Sequence, residues 1–254
     1  MKNRLKRLMN RVLGMRLSYR MTATYVIGGL LPLVALSFYL IHGMNQILVS
    51  QAENTESAEL QNICAQILEL QETITTVSSY FYFDEELEKI AGRNYTDYQD
   101  MVDDFRGYTG FIDYQSYYNT MISRISIFME NETLRGNTNF IVVDDEIREQ
   151  EWYERVSGKG GGVVWTYLPH VIPGYDHAPA LTRMIKTRRS ADVGVLVIYL
   201  RPEWFERMIW DREGSTYILL NGETVITSRH ETVPFEELRQ YLPQMTGGTY
   251  QARI

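Results

Sequence analysis

Residues 1–20 carry seven basic side chains and no acidic one, and the 32 positions that follow, Met21 to Ala52, carry no formal charge. The most apolar part, about Ala23 to Ile41, has the ~20-residue length that crosses a bilayer as a helix. A soluble core helix needs no such cationic flank. A cleaved signal peptide would find a small-x-small site at Ser50-Gln51-Ala52, but the basic and apolar regions both exceed the usual leader lengths. The segment therefore reads as an uncleaved signal anchor, with Pro32 mid-span, where membrane helices tolerate it. Tyr19, Tyr25 and Tyr39 suit the two interfaces. Cationic flanks stay in the cytoplasm, which places everything after about residue 50 outside the cell membrane.

Charge sharpens that division. The tail carries +7 of a chain whose net charge is −7, leaving −14 on the remainder. An acidic outer portion excludes nucleic acid as a partner, because phosphate binding needs a basic face. The basic tail suits anionic lipid headgroups. Cys64 is the only cysteine, so no intrachain disulfide supports the fold and core packing must.

Beyond the anchor, Leu60, Ile63, Ile67, Leu70, Ile74, Val77 and Phe81 recur at spacings of three and four, a heptad-like seam. Such a seam serves either a stalk that dimerises or a helix packed on its own domain, and a homodimer through the stalk is the expectation carried forward. Helical stretches follow at Glu85–Ala91 and Asp97–Met121, the second broken by Gly107 and Gly110. Strand patterns then take over at Arg124–Met129, Phe140–Val143 and Val163–Tyr167, with a short helix at Glu149–Val156 and a glycine turn at Gly158–Gly162. Pro169 to Pro179 reads as loop. Leu181–Thr187 and Val193–Leu200 read as an antiparallel pair around Arg188–Asp192, the second almost wholly apolar and hence central. Pro202 opens a helix to Ile209. From about Gly214 a second unit begins with a hairpin at Asn221-Gly222 and a helix from Pro234. The fold class is α+β, divided as a basic tail (1–20), a transmembrane anchor (21–44), a stalk helix (45–82), a PAS-like antiparallel module (83–212) and the start of a second module (213–254).

The order of these segments carries a resemblance. Asp145-Glu146-Ile147 precedes Glu151-Trp152-Tyr153; then come Val163-Val164-Trp165, Val193 to Leu200, and Tyr217 to Glu223 leading to Ser228. Over nearly the whole chain this is similar to the extracytoplasmic double Cache sensor region of YesM-type bacterial sensor histidine kinases. The resemblance implies a membrane-distal PAS-like module that binds a small solute. It also implies a parent protein continuing to a second membrane helix, a linker and the kinase core of a two-component system. Some Cache domains hold amino acids through Arg-x-Trp-Tyr. Trp152 and Tyr153 match that motif, but Gln150 stands at the arginine position and Arg148 lies two residues early. That departure points from a free carboxylate ligand towards a neutral, hydroxyl-rich solute such as a carbohydrate.

No catalytic motif is present in this chain: no phosphate loop ending in Lys-Ser/Thr, and His230-Glu231 follows a hairpin rather than lying on a long helix. The chain itself is therefore read as no enzyme, with no cofactor. His170, Asp176 and His177 have metal-ligand chemistry but read as loop polarity. The candidate ligand site is drawn from Trp152, Tyr153, Trp165 and Tyr167 as aromatic walls, with Asp176 and Arg183 as polar contacts. Together with the resemblance, these features imply the small-molecule-sensing input of a membrane-bound histidine kinase. Its rivals are the same sensor on another output, such as a DNA-binding regulator or a chemoreceptor, and an anchored structural protein without a small ligand.

Overall fold

Pro32 decides how the amino-terminal helix begins. The computed structural model describes residues 21–22, 25–131, 133–172, 175–186, 192–209, 217–220 and 223–227. They fall in two compact units, Met1–Asn62 and Ile63–Ile254. The basic tail, most of the Arg188–Asp192 turn, the Asn221-Gly222 turn, Trp210 and the helix expected from Pro234 lie outside the described residues. In the first unit a π-helical turn, Val26–Leu30, immediately precedes helix α1, Leu31–Tyr82. Proline has no N–H and its ring clashes with the carbonyl four residues back. The wider π turn relieves that conflict one turn before Pro32. Around it the large apolar side chains face outward: Leu33, Leu36, Phe38, Ile41 and Ile47 are all exposed. Among the described residues this is the one helix long and apolar enough to cross a membrane.

In the second unit α1 changes character. Ile63, Leu70, Ile74, Val77 and Phe81 are buried in the unit's own core. The heptad-like seam thus packs on its own sheet, and Ile63, Leu70 and Ile74 are not free to meet a partner helix. Full burial of such side chains stabilises by about 1.5–3 kcal/mol each. α1 ends at Tyr82, and Asp84 starts α2 (Glu85–Gly92), its carboxylate accepting from the backbone N–H of Glu86 at 2.9 Å and of Leu87 at 3.2 Å. The same carboxylate accepts the Tyr108 hydroxyl at 2.7 Å. The expected helix over 97–121 is two, α3 (Tyr98–Gly107) and α4 (Gly110–Tyr117), parted at Tyr108-Thr109 between the two glycines. Phe81, Phe111 and Phe140 interlock here, and Phe105 stacks on Phe140 with centroids 4.2 Å apart.

The segment after α2 is tied down from a distance. Asn131 donates through Nδ2 to the carbonyls of Ala91 (3.2 Å) and Arg93 (2.8 Å), while Thr133 Oγ1 accepts the Tyr95 N–H at 3.1 Å and donates to Asn131 Oδ1 at 2.6 Å. Arg93 pairs with Asp104 and Asp100 at 2.7 and 2.8 Å, and Tyr95 donates to Asp104 at 2.8 Å. The Tyr95 hydroxyl and Arg93 together hold the Asp104 carboxyl below its ordinary value.

The sheet follows: β1 (Ile122–Met129), β2 (Phe140–Val142), then α5 (Asp145–Arg148) and α6 (Glu151–Ser157), β3 (Val163–Ile172), β4 (Tyr175–Lys186) and β5 (Asp192–Leu200). The order is β2-β1-β5-β4-β3, a PAS-like arrangement with β5 central as its apolar sequence requires. β2 runs parallel to β1; the other neighbours are antiparallel. The loop expected over Pro169–Pro179 is instead a β3–β4 hairpin, with Tyr167 opposite Pro179 and Pro169 opposite His177. Proline suggests a loop, but Pro169 and Pro179 both stand where the ladder is one-sided. β3 is an edge strand, and β4 pairs with β5 only from Ala180 onward, positions that proline tolerates. Helix α7 (Pro202–Ile209) closes one end of the core, and β6 (Tyr217–Leu220) pairs antiparallel with β7 (Glu223–Thr227).

Candidate functional site

Strand alternation gives the sheet two faces with different partners. Ile125, Ile127, Leu181, Ile185, Leu196 and Ile198 share a core with α1 to α4. Phe128, Val143, Val164, Ala178, Ala180, Met184, Val195, Val197 and Tyr199 form the opposite face with Tyr153 and Val156 of α6. The first face is covered by a long helix. The second is roofed by short helices, the arrangement in which a small molecule can be enclosed without rebuilding the core.

The six candidate residues divide between these faces. Trp152 and Tyr153 lie together on the second. Trp152 packs edge-on against Phe128 at 5.4 Å and donates its indole N–H to Gln150 Oε1 at 2.5 Å. Gln150 is the residue before α6 and makes no backbone cap with its side chain; its amide fixes the indole instead. Tyr153, 4% exposed, donates its hydroxyl to Glu130 at 2.8 Å. Trp165 lies on the first face, half-buried against the core that holds α1. Tyr167 stacks on His177 at 5.5 Å, and its hydroxyl is pushed up by burial and by the charge of Asp176. Asp176 is exposed near the hairpin end. Arg183 faces α1: Nε donates to the Gly161 carbonyl at 2.8 Å, Nη1 to Ser79 Oγ at 3.0 Å and Ser78 Oγ at 3.3 Å. Its guanidinium lies 4.2 Å over the Tyr82 ring. Trp152 and Tyr153 therefore cannot share one small ligand with Trp165 and Arg183, because the sheet stands between them.

The second face also holds polar groups that the sequence reading did not single out. The ladder sets Arg124 opposite Tyr199, Tyr199 opposite Ala180, and Ala180 opposite Thr166. The Arg124 guanidinium lies 4.9 Å over the Tyr199 ring. Its Nε is buried and, among the described residues, has no hydrogen-bond partner. Burial pushes the Tyr199 hydroxyl up, against the pull of Arg124. Ser126 and Thr182 are wholly buried beside them, donating to the carbonyls of Thr138 (3.1 Å) and Val164 (2.9 Å). Period-two alternation held the signal. With Ile125 and Ile127 inward on one face, Arg124, Ser126 and Phe128 must occupy the other. This face therefore carries two aromatic hydroxyls, a guanidinium and two buried side-chain hydroxyls among its apolar residues. Among the described residues no three His, Cys, Asp or Glu side chains group to hold a metal.

No family model matches this chain, and no curated protein matches it. Among solved structures it is similar to the ligand-binding domain of the Campylobacter jejuni chemoreceptor Tlp3. The domain in complex with 4-methylisoleucine shares 12% identity at a TM-score of 0.43, over 63% of this chain and 62% of that one. The same domain in complex with L-valine shares 11% identity at a TM-score of 0.44, over 63% of each. The chain thus spans under two thirds of the length of these structures.

Proposed function

We propose that this chain is the extracytoplasmic input region of a membrane-anchored, Cache-type sensor, reading a small solute on the α6-roofed face of its sheet. The observation that carries the reading is the asymmetry of the sheet. One face packs on the carboxy-terminal turns of α1 and is bonded to them through Arg183. The other is roofed by the seven-residue helix α6. A solute that prefers one placement of α6 shifts the balance between two states of the domain, which is all that signalling requires. The cationic tail sets the orientation, amino terminus in the cytoplasm.

The solute class we propose is a neutral, hydroxyl-rich ring such as a saccharide. It would stack on Trp152, whose indole is already oriented by Gln150, and exchange hydrogen bonds with the Tyr153–Glu130 pair. The output we propose is a histidine kinase core, so that the chain itself performs no chemistry. A homodimer through the stalk would use the face of α1 that carries Leu68, 64% exposed, since the buried seam is already occupied. A second reading, an anchored structural protein, is favoured by the near-complete burial of the second face, where Ala178, Ala180, Val195 and Val197 have no exposed area.

A thermal-shift screen of the full chain in lipid nanodiscs against mono- and oligosaccharides, sugar acids and amino acids tests the proposal. A ligand at a hundred times its dissociation constant stabilises by about 2.7 kcal/mol, and Trp152→Ala should abolish the shift. A hit whose affinity ignores both Trp152→Ala and Tyr153→Phe places the site elsewhere. No stabilising solute in any class favours the structural reading.

A further inference from the structure

The route from the α6 roof to α1 runs around the edge of the sheet, and one side chain closes it. α6 lies on the second face, and β3, which follows it, is the edge strand. Between them the chain must pass from one face towards the other in the turn Gly158–Gly162. Gly160 and Gly161 take φ of +59° and +95°, a region closed to most side chains. A Cβ on Gly161 would also meet the Tyr82 hydroxyl at 3.0 Å. The turn thus lies directly against the last residue of α1.

Arg183 fastens this juncture. It sits on β4 opposite Val163, the first residue of β3. Its guanidinium accordingly reaches both the turn and the helix. Nε holds the Gly161 carbonyl, and Nη1 holds Ser78 and Ser79. Both serine hydroxyls donate to the Thr75 carbonyl, at 2.8 and 3.0 Å, so their oxygens are left to accept from Arg183. The Tyr82 ring covers the guanidinium, and Ser78 is fully buried. A planar fork with several fixed donors spans such divergent acceptors; an ammonium does not.

We infer that Arg183 is the coupling residue between the α6 roof and the last turn of α1. A displacement of α6 on the second face reaches α1 through the Gly160-Gly161 turn and the Arg183 guanidinium. The inference rests on the sensor reading, but its test needs no ligand. Hydrogen exchange is measured on the full chain in nanodiscs, at the amides of Thr75–Tyr82 relative to those of Val195–Ile198 on the central strand, which report global opening. Val156→Ala loosens α6, since Val156 is wholly buried against the sheet. With Arg183 present it should raise the relative α1 exchange about fivefold, the equivalent of losing one hydrogen bond. In an Arg183→Met background, where exchange is already raised, adding Val156→Ala should change it less than about twofold, the non-additivity expected of coupled sites. Arg183→Lys should behave as Arg183→Met. Equal responses in both backgrounds, or no response with Arg183 present, overturn the inference. Should Val156→Ala not fold, Tyr153→Phe, which removes only the hydroxyl bonded to Glu130, perturbs the same helix and is judged by the same criteria. A positive cycle with no solute found would retain the coupling and sink the sensor reading alone.

Discussion

Replacing Ile74 by alanine tests whether the seam of α1 belongs to the domain's own core. Ile74 has no exposed area and packs in the cluster that contains Ile125, Leu196 and Ile198. Truncation there loses the transfer energy of the removed carbons and leaves a cavity between a helix and a sheet, neither of which collapses easily. Buried Ile→Ala changes of this kind destabilise by about 2–5 kcal/mol. With a urea dependence of about 2 kcal/mol per molar, a loss near 3 kcal/mol lowers the midpoint by about 1.5 M. Ile112 on α4 is the control: it is 62% exposed, and Ile112→Ala should stay within about 0.5 kcal/mol. The assay is urea unfolding of the full chain in detergent micelles, followed by tryptophan fluorescence at two protein concentrations tenfold apart. The Ile74→Ala loss should not change with concentration, because its partners are in the same chain. A loss that grows on dilution, or an Ile74→Ala loss no larger than that of Ile112→Ala, would refute the assignment of the seam to the domain's own core.

Other outcomes follow from named contacts. Burial and the Asp84 carboxylate hold the Tyr108 hydroxyl well above its ordinary value of 10.0. The folded chain keeps that proton longer than the unfolded chain, so stability present below pH 10 is lost as pH rises beyond it; Tyr108→Phe should flatten the alkaline limb of the unfolding profile. Asp104 shows the opposite sign. Its carboxyl, held below 3.8 chiefly by the Tyr95 hydroxyl, contributes stability above that pH that is lost on acidification below it, and Asp104→Asn should flatten the acid limb. Gly161→Ala, at φ +95° and against Tyr82, should destabilise by more than about 1 kcal/mol in thermal melts. Reporter fusions after residue 20 and after residue 130 should be active on opposite sides of the membrane; cytoplasmic activity at both would refute the orientation.

The elements of the fold were legible where one physical signal acted alone. The apolar run of β5, the Pro202 start of α7 and the glycine-bounded break between α3 and α4 are local, and each matches the structure. The Pro169–Pro179 hairpin was not legible, because proline's tolerance on an edge depends on which strands neighbour it, a fact of topology. The seam of α1 was legible as a pattern but ambiguous in partner, since a helix against a sheet and a helix against a helix ask for the same spacing. Nearness in sequence groups Trp152 with Trp165. In space the sheet separates them, and Arg124 and Tyr199, 75 positions apart, meet at 4.9 Å instead. Arg183 carried a polar signal from the start; its contacts to Ser78 and Ser79 span more than 100 residues and no local pattern announces them.

The turn at Asn131 has a consequence for producing this protein. Asn131 and Thr133 bracket Glu132 in an Asn-x-Thr pattern, the acceptor for N-glycosylation. In the folded chain both amide hydrogens of Asn131 are engaged, one by the Ala91 carbonyl and one by that of Arg93. A glycan replaces one of those hydrogens, so a modified Asn131 can hold only one of the two carbonyls, and a bulky sugar must fit where the 91–95 segment closes. A eukaryotic secretory host would attach that sugar before the turn forms. Material from such a host should therefore misfold in proportion to its glycan occupancy, whereas bacterial expression leaves the asparagine free to close the turn.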